Sequence, residues 1–329
     1  MKYAFRNASL AVWELKGAPE TWQKQLTEYY DKKPVFAVLG GISNRDWQPI
    51  HDFCEANSLP CLFPMTDLPV VSEKDWYTYY FNKGYFQEGE TAARFLNRME
   101  GITSRTPVLQ IIQESPAGNA LAAGFQKTWS DLEHPPVKTV KATSSQLGDP
   151  EFYKKLSFDN KAGVVLLWTD ATVIPSIALI LTKLEAPAHV FLSSSYLGKQ
   201  TASIPETVRS SVFITYPYRL TPYVGSKEGF DAKVPILATA AEFGDKRITS
   251  RTNTMLKQVT LQGLKLLYDN LYRDHLLDVM SMQMDQIVRD YERLSFGPGQ
   301  RYVSKGCYVI QLGKGADPGL VAMSEWVTH

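Results

Sequence analysis

Four polar clusters in this sequence stand where apolar runs end, the places at which side chains can meet a solute. VFAVL runs into Gly40, Gly41, Ile42, Ser43 and Asn44, and LPCLF runs into Met65, Thr66 and Asp67 between Pro64 and Pro69. GVVLL leads to Trp168, Thr169 and Asp170, and HVFL leads to Ser193, Ser194, Ser195 and Tyr196. Paired glycines let a backbone turn tightly and approach a ligand. A serine and an asparagine just ahead of a helix can cap it with nothing bound, or help its free N–H groups hold an anion. The two prolines stiffen the loop that carries Thr66 and Asp67. Asp67 can face a ligand from there or bond its own backbone in a turn. Trp168, at a strand end, can stack on a ligand or serve the core. Asp67 and Asp170 are the carboxylates an acid–base pair would need. No nucleophile–base pair, metal set or phosphate loop accompanies them, so the sequence argues against an enzyme.

The five histidines are scattered without metal-ligand spacing, and no metal or cofactor is expected. Of the three cysteines, Cys54 and Cys61 can meet across a helix-to-strand turn or remain separate buried thiols; Cys307 is distant in sequence. A net charge of +1 argues against a nucleic-acid surface or a polyacidic partner. No run approaches the roughly 18 apolar residues of a membrane helix. At the N-terminus, MKYAFRNASLAVWELKG has a basic start in Lys2. Arg6 and Asn7 interrupt the apolar core that an export signal needs. The protein is therefore expected either to be cytoplasmic or to have lost an upstream part.

The elements that must position these clusters alternate along the 329 residues. ASLAVWEL reads as a strand, PETWQKQLTEYYDKK as a helix, VFAVL as a strand, RDWQPIHDFCEAN as a helix and LPCLF as a strand. GYFQEGETAARFLNRME, GNALAAGFQKTWSDL and ATVIPSIALILTKLE read as helices. TPVLQII, VKTVKA, GVVLLW, HVFLSS and SVFITYP read as strands. VLQII and VVLLW are solidly apolar, as strands covered on both faces should be. The rhythm indicates parallel sheets with right-handed crossovers, an α/β protein with length enough for two lobes. After Tyr216 proline and glycine cluster. Helical tracts are then expected over Thr249–Tyr272 and Leu277–Tyr291, and a late strand over Gly306–Leu312.

The order of these pieces resembles a known family. VFAVLGGISN, then HDFCEANSLPCLFPMTDLPVV, then YYFNKGYFQEGETAARFL is similar to the type I periplasmic binding proteins, in particular the branched-chain amino-acid receptors of ABC transporters. That family has a glycine-serine corner after a strand, a proline-bracketed loop with hydroxyl residues, and a helix of the form Q-x-G-x-x-A-A, matched here from Gln87. QESPAGNALAAGF, VFITYPYRLTP and SFGPGQRYVSKGCYVIQL resemble its second-lobe strand end, its return crossover and its closing hairpin. The resemblance covers nearly the whole chain. It implies two doubly wound parallel-sheet lobes joined by three crossovers. One lobe would hold residues 1–104 with 218–294, the other 105–217 with 295–329. It also implies a periplasmic or extracellular solute-binding protein that closes on a small polar ligand, an amino acid or related carboxylate, and docks on an ABC permease. The alternative is a sensor of the same fold that signals through an attached domain.

Carried over residue by residue, the resemblance places Ser43 and Asn44 at the ligand's carboxylate and Met65, Thr66 and Asp67 in the same lobe. From the other lobe come Ala117, Trp168, Thr169, Asp170, Ser195 and Tyr196, with Tyr216 at the crossover. Two departures stand out. The family's first strand and helix have no counterpart ahead of Ala8, so the chain is expected to be a fragment of its native protein. Ala117 replaces an aromatic that contacts ligand, and Ser195 replaces an acid that holds the ligand's ammonium, so the usual amino-acid clamp is incomplete and Asp67 is expected to take over that role.

Overall fold

The structure, a computed structural model, describes residues 9–103, 106–156, 163–184, 188–221, 252, 263, 267, 270–283, 285, 291–295, 297–316 and 318–328. The chain divides into two compact units, Met1–Lys83 with Pro222–Ser304 and Gly84–Thr221 with Lys305–His329. It passes from one unit to the other three times.

The first unit holds helix α1 (Trp22–Lys32), strand β1 (Val38–Leu39), helix α2 (Gln48–Ala56) and the strands β2 (Cys61–Leu62) and β3 (Thr78–Tyr79). The three strands pair in parallel in the order β1-β2-β3. Trp22 and Leu26 of α1 pack with Ile50, Phe53 and Cys54 of α2 over Cys61 and Tyr80, with Trp47 in the same cluster. Arg273 opens a later helix, Arg273–Ser281, and ties the unit together. Its guanidinium donates to the carbonyls of Val35, Asn57 and Ser58 and to the Tyr30 hydroxyl. The strand expected over ASLAVWEL does not form among the described residues of that stretch. No ladder partner meets it there, and Leu10 and Val12 are 84% and 80% exposed. An apolar alternation makes a strand only where an edge accepts its hydrogen bonds. Most of Thr249–Tyr272 and part of Leu277–Tyr291 lie outside the described residues. The helix in the second tract starts earlier than expected, at Arg273.

The second unit is longer-stranded. In chain order it has α3 (Tyr85–Arg98), β4 (Val108–Gln113), α4 (Pro116–Asp131), β5 (Lys138–Ala142), α5 (Ser144–Leu147), α6 (Pro150–Lys155), β6 (Val164–Trp168), α7 (Ile177–Leu181), β7 (His189–Ser193), α8 (Ser194–Leu197), β8 (Val212–Tyr216), β9 (Gly306–Leu312), β10 (Leu320–Ala322) and β11 (Val327–Thr328). The sheet order is β10-β9-β8-β7-β6-β4-β5, with β11 also paired to β9. Strands β4 to β8 are parallel, and β9 joins β8 antiparallel. Alternation sorts the side chains. Ile112, Leu166, Trp168, Phe191 and Phe213 point to the face covered by α3 and α4. Leu109, Ile111, Val165, Leu167, Val190, Leu192 and Ile214 point to the other, under Leu147, Val173, Ile177 and Ile180. Two covered faces explain why these strands are apolar throughout.

Helix α3 belongs to this second unit, so the division falls at residues 83 and 84, whereas the sequence placed a limit near 104. The reason is its contact with α4. A Cβ on Gly89 would lie 2.1 Å from the Leu121 carbonyl oxygen, and one on Gly124 would lie 2.0 Å from that of Phe86. The helices touch backbone to backbone through these two glycines, a contact no other residue type permits. The helix expected over ATVIPSIALILTKLE is broken. Ala171–Ser176 is a 3₁₀ turn containing Pro175, and only Ile177–Leu181 is α-helical. Among the described residues no helix is long and apolar enough to cross a membrane.

Candidate functional site

In the first unit the GGISN corner is tied by main-chain bonds to β2 and the loop that follows it. Gly40 N–H donates to the Leu62 carbonyl at 2.9 Å, Met65 N–H to that of Gly41 at 2.7 Å, and Ser43 N–H to that of Met65 at 3.2 Å. The glycines serve this geometry. Gly40 has φ +57°, and a Cβ on Gly41 would sit 2.6 Å from the Trp47 ring. Ser43 and Asn44 do not cap α2, as the sequence suggested. The helix begins four residues later at Gln48, with Pro49 in its first turn, and the Gln48 N–H is taken by Asp46 Oδ1 at 3.0 Å. Ser43 Oγ accepts instead from Arg45 N–H at 3.0 Å, a local turn, and Asn44 is exposed. Met65 and Thr66 are buried, and Thr66 Oγ1 accepts from Leu68 N–H. Asp67 is half-buried. Phe63, fully buried at the end of β2, carries φ +55°, a left-handed conformation that costs about 1–2 kcal/mol in a residue of this type.

In the second unit the strand ends are joined through side chains. Strands β4 and β6 are neighbours whose following segments leave on opposite faces, the place where an open parallel sheet forms a crevice. There Gln113, the last residue of β4, donates from Nε2 to Asp170 Oδ2 at 2.9 Å and to Ser144 Oγ at 2.8 Å. Its Oε1 accepts from Asp170 N–H at 2.8 Å. Asp170 Oδ1 accepts from both the N–H and the hydroxyl of Thr172, capping the 3₁₀ turn. Partial burial alone would raise the Asp170 pKa. The hydrogen bonds from Thr172 and Gln113 outweigh it and hold the carboxyl below its usual range.

Beside this pair stands a second one. Ser115 caps α4, its Oγ accepting from Gly118 N–H at 3.0 Å, and lies 2.6 Å from the Tyr196 hydroxyl. Tyr196 N–H is in turn held by Ser193 Oγ at 3.1 Å, and Tyr85 packs against the Tyr196 ring with centroids 5.7 Å apart. Burial raises the Tyr196 pKa, with the Ser115 bond opposing, so its hydroxyl keeps its proton. Gly118 lets α4 start this close to the sheet: a Cβ there would be 2.4 Å from the Gln113 carbonyl oxygen. Of the first turn of this 16-residue helix Pro116 has no N–H and Gly118 N–H is taken by Ser115, so the Ala117 N–H opens beside the two hydroxyls at the positive end of the helix, a place suited to an anionic oxygen.

Of the residues named from sequence, the second unit brings Asp170 and Tyr196 to this edge, with Ala117 and Ser195 half-buried beside them in α4 and α8. Thr169 is fully buried. Tyr216 ends β8 and packs edge-on against Tyr218 at 5.6 Å. Trp168 is a correction. It is fully buried, two residues from Leu166 on the face under α4, against Phe125, with its indole N–H on Gln110 Oε1 at 2.7 Å. A strand-end aromatic on the helix-covered face fills the core and cannot stack on a ligand. Gln113, Ser115 and Ser144 were not singled out. Ser115 directly before Pro116 is a legible helix start, and Gln113 is a polar break in an apolar strand. Among the described residues no group of three His, Cys, Asp or Glu side chains is placed to hold a metal ion.

Neither a family model nor a curated protein matches this chain. Solved structures do. A solute-binding protein of an ABC transporter from Rhodopseudomonas palustris HaA2, in complex with p-hydroxybenzoic acid, aligns over 94% of this chain and 83% of its own, with 14% identity and a TM-score of 0.68. The chain has the type I periplasmic-binding-protein fold. A branched-chain amino-acid ABC transporter protein from Thermus thermophilus with bound valine shares this fold at 12% identity and TM-score 0.63, over 95% of this chain and 83% of that one. An amino-acid ABC transporter substrate-binding protein from Pseudomonas fluorescens Pf-5 does so at 13% identity and TM-score 0.63, over 94% and 83%. In the type I fold each lobe is a doubly wound parallel sheet, as the α/β reading of the sequence expected.

Proposed function

We propose that this protein is an extracytoplasmic solute-binding protein that takes up a small carboxylate at the strand ends of its second unit and delivers it to an ABC-type permease. The observation that carries this reading is the Ser115–Tyr196 pair at the start of α4. One hydroxyl of the pair, the one that accepts its partner's hydrogen bond, and the Ala117 N–H, the first-turn donor left after Pro116 has none and Gly118 is held by Ser115, can donate to a carboxylate oxygen. Asp170 is engaged by Thr172 and Gln113, so it sets the shape of the edge and leaves ammonium recognition to another group. With alanine at 117 and serine at 195, the site favours an acid without an obligatory amine. The structural neighbours include proteins bound to p-hydroxybenzoic acid and to valine, which makes those two compounds the first probes. On this reading the ligand is bound without turnover.

The test is calorimetric titration of the wild type and Tyr196→Phe with 4-hydroxybenzoate, benzoate and valine. A carboxylate should bind in equimolar ratio and return unchanged. Tyr196→Phe should weaken it about five- to tenfold, the worth of one hydrogen bond of about 1 kcal/mol. Undiminished affinity in Tyr196→Phe, or heat from turnover, would remove the proposal.

A further inference from the structure

We propose that Arg301 anchors a buried oxyanion site in the first unit, built for a compact inorganic anion of the phosphate or sulfate class. Arg301 is 5% exposed. Its guanidinium carbon lies 4.0 Å from the centre of the Trp76 ring and 4.7 Å from that of Tyr79. Nη1 donates at 3.4 Å to the carbonyl of the neighbouring Gln300. Nε and Nη2 are shielded from solvent, and neither has a hydrogen-bond partner among the described residues. These two nitrogens share one edge of the guanidinium, with their N–H bonds side by side. That edge is the fork that grips two oxygens of one anion.

The group has few other ways to be settled. A guanidinium does not give up its proton, so the charge stays when it is buried. The two rings attract the cation through their faces, but ring faces are weak acceptors for the N–H bonds of the fork. A water would meet the fork and leave the charge unbalanced. Two acids of the same unit are engaged elsewhere. Glu55 accepts from the N–H groups of Trp76, Tyr77 and Thr78, and Asp274 accepts from the Tyr77 hydroxyl. The fork is also held still. Tyr80 N–H donates to the Arg301 carbonyl at 2.7 Å and Val303 N–H to that of Tyr80 at 3.2 Å, which lays the chain from Arg301 to Val303 along the end of β3. Trp76 supplies the way in. Its main chain is clamped by Glu55, while its ring is 42% exposed and lies against Arg301. Turning that ring uncovers the guanidinium without moving the main chain. An organic acid would bring a carbon body into this shielded space, whereas a compact anion brings only oxygens.

The probe is inorganic phosphate, titrated by calorimetry into the protein in a phosphate-free buffer whose ionic strength is held constant with chloride. The expected result is saturable binding of one phosphate, competed by sulfate, with a change in tryptophan emission that Trp76→Phe removes. Arg301→Lys keeps a cation but has no fork, and should weaken binding about tenfold or more. Arg301→Gln should abolish it; should that variant not fold, Arg301→Lys carries the test. Tyr196→Phe should bind phosphate as the wild type does, because Tyr196 belongs to the second unit and Arg301 to the first. The absence of saturable binding in the wild type, or undiminished affinity in Arg301→Lys, overturns the proposal. Loss of phosphate binding in Tyr196→Phe overturns it too, by moving the anion to the second unit.

Discussion

The two units end their strands in different ways. In the first, the Gly40–Asn44 corner and the loop at Met65 are laced together by main-chain bonds, and Ser43 spends its oxygen on Arg45 N–H. In the second, strands of five and six residues expose their ends through side chains, Gln113 to Asp170 and Ser115 to Tyr196. A backbone lacing fixes a shape but leaves few donors. A side-chain lacing leaves hydroxyls and a helix start that a ligand can share. The difference follows from what lies beneath. The long strands have both faces covered and their ends held rigidly, whereas the first unit's strands are two residues each. A binding edge needs a rigid support.

The harshest test of that support is Gly124→Val. Its Cβ would lie 2.0 Å from a main-chain oxygen that cannot step aside, so the cost should reach or exceed the upper end of the roughly 1–3 kcal/mol typical of overpacking. Gly41→Ala in the first unit adds a single methyl that meets the edge of the buried Trp47 ring, a side chain and not main chain, and should cost less. Urea denaturation midpoints rank the two. A Gly41 variant as damaging as the Gly124 one would show that the first unit's corner is the more rigid.

Next is Trp168→Phe. The variant removes the indole donor from buried Gln110 Oε1, and leaving that acceptor unpaired should cost roughly 1–3 kcal/mol. Because Trp168 is beneath the edge and not on it, ligand affinity per folded molecule should be unchanged. Calorimetry on folded protein that shows a loss beyond tenfold would return Trp168 to the binding surface.

Asp170→Asn tests the electrostatic side of the same edge. The Asp170 carboxyl is held below its ordinary range, so its ionised form is favoured by folding. Its contribution is complete above the unfolded value of about 3.9 and is lost as pH falls through the lower folded value. The wild type should therefore lose stability over that acid window more steeply than Asp170→Asn, and the two curves should run parallel above about pH 5. Parallel curves at every pH would mean that Thr172 and Gln113 do not hold the charge. Asp75 follows the same sign, lowered by Ser72 and then by His51, so the difference must be read between variants and not from the wild type alone.

Much of the second unit was legible in the sequence because its signals are local and redundant. The apolar runs VLQII and VVLLW fixed strands to within a residue or two, and β9 falls where the late strand was expected. The site was less legible. Which face of β6 carries Trp168 depends on parity against α4, a fact about a helix dozens of residues away. The same is true of Gln113, whose partner Asp170 arrives from another strand. In the first unit ASLAVWEL has a strand's pattern, yet among the described residues no edge receives it. Pairing is a property of two segments, and one segment cannot announce it. The GGISN corner shows the complementary failure. Its residue types fit an anion site, but the N–H groups of Gly40 and Ser43 are taken by β2 and the loop after it, which the sequence places more than twenty residues on.

The smallest effect expected is at Ser58, where the comparison turns on strain. Ser58 sits at φ +47° at the end of α2, and it is one of three described non-glycine residues with positive φ, two of them in the first unit. Glycine is the usual occupant of that position because it has no Cβ to crowd the following carbonyl. Ser58→Gly removes the left-handed penalty of about 1–2 kcal/mol but loosens the unfolded chain by roughly 0.4–1 kcal/mol. The net should be a gain of about 0–1.6 kcal/mol, read as a small rise in denaturation midpoint with an unchanged slope. The gain depends on the bonds that end α2, from Leu59 N–H to the Cys54 carbonyl and from Ser58 N–H to that of Glu55, remaining in place. Ser58→Ala keeps the Cβ and should give no such rise. If Ser58→Gly instead destabilises the protein by more than the loss of chain stiffness explains, the serine side chain contributes something to that turn that its backbone geometry does not reveal, and the first unit is held less by its main chain than the comparison requires.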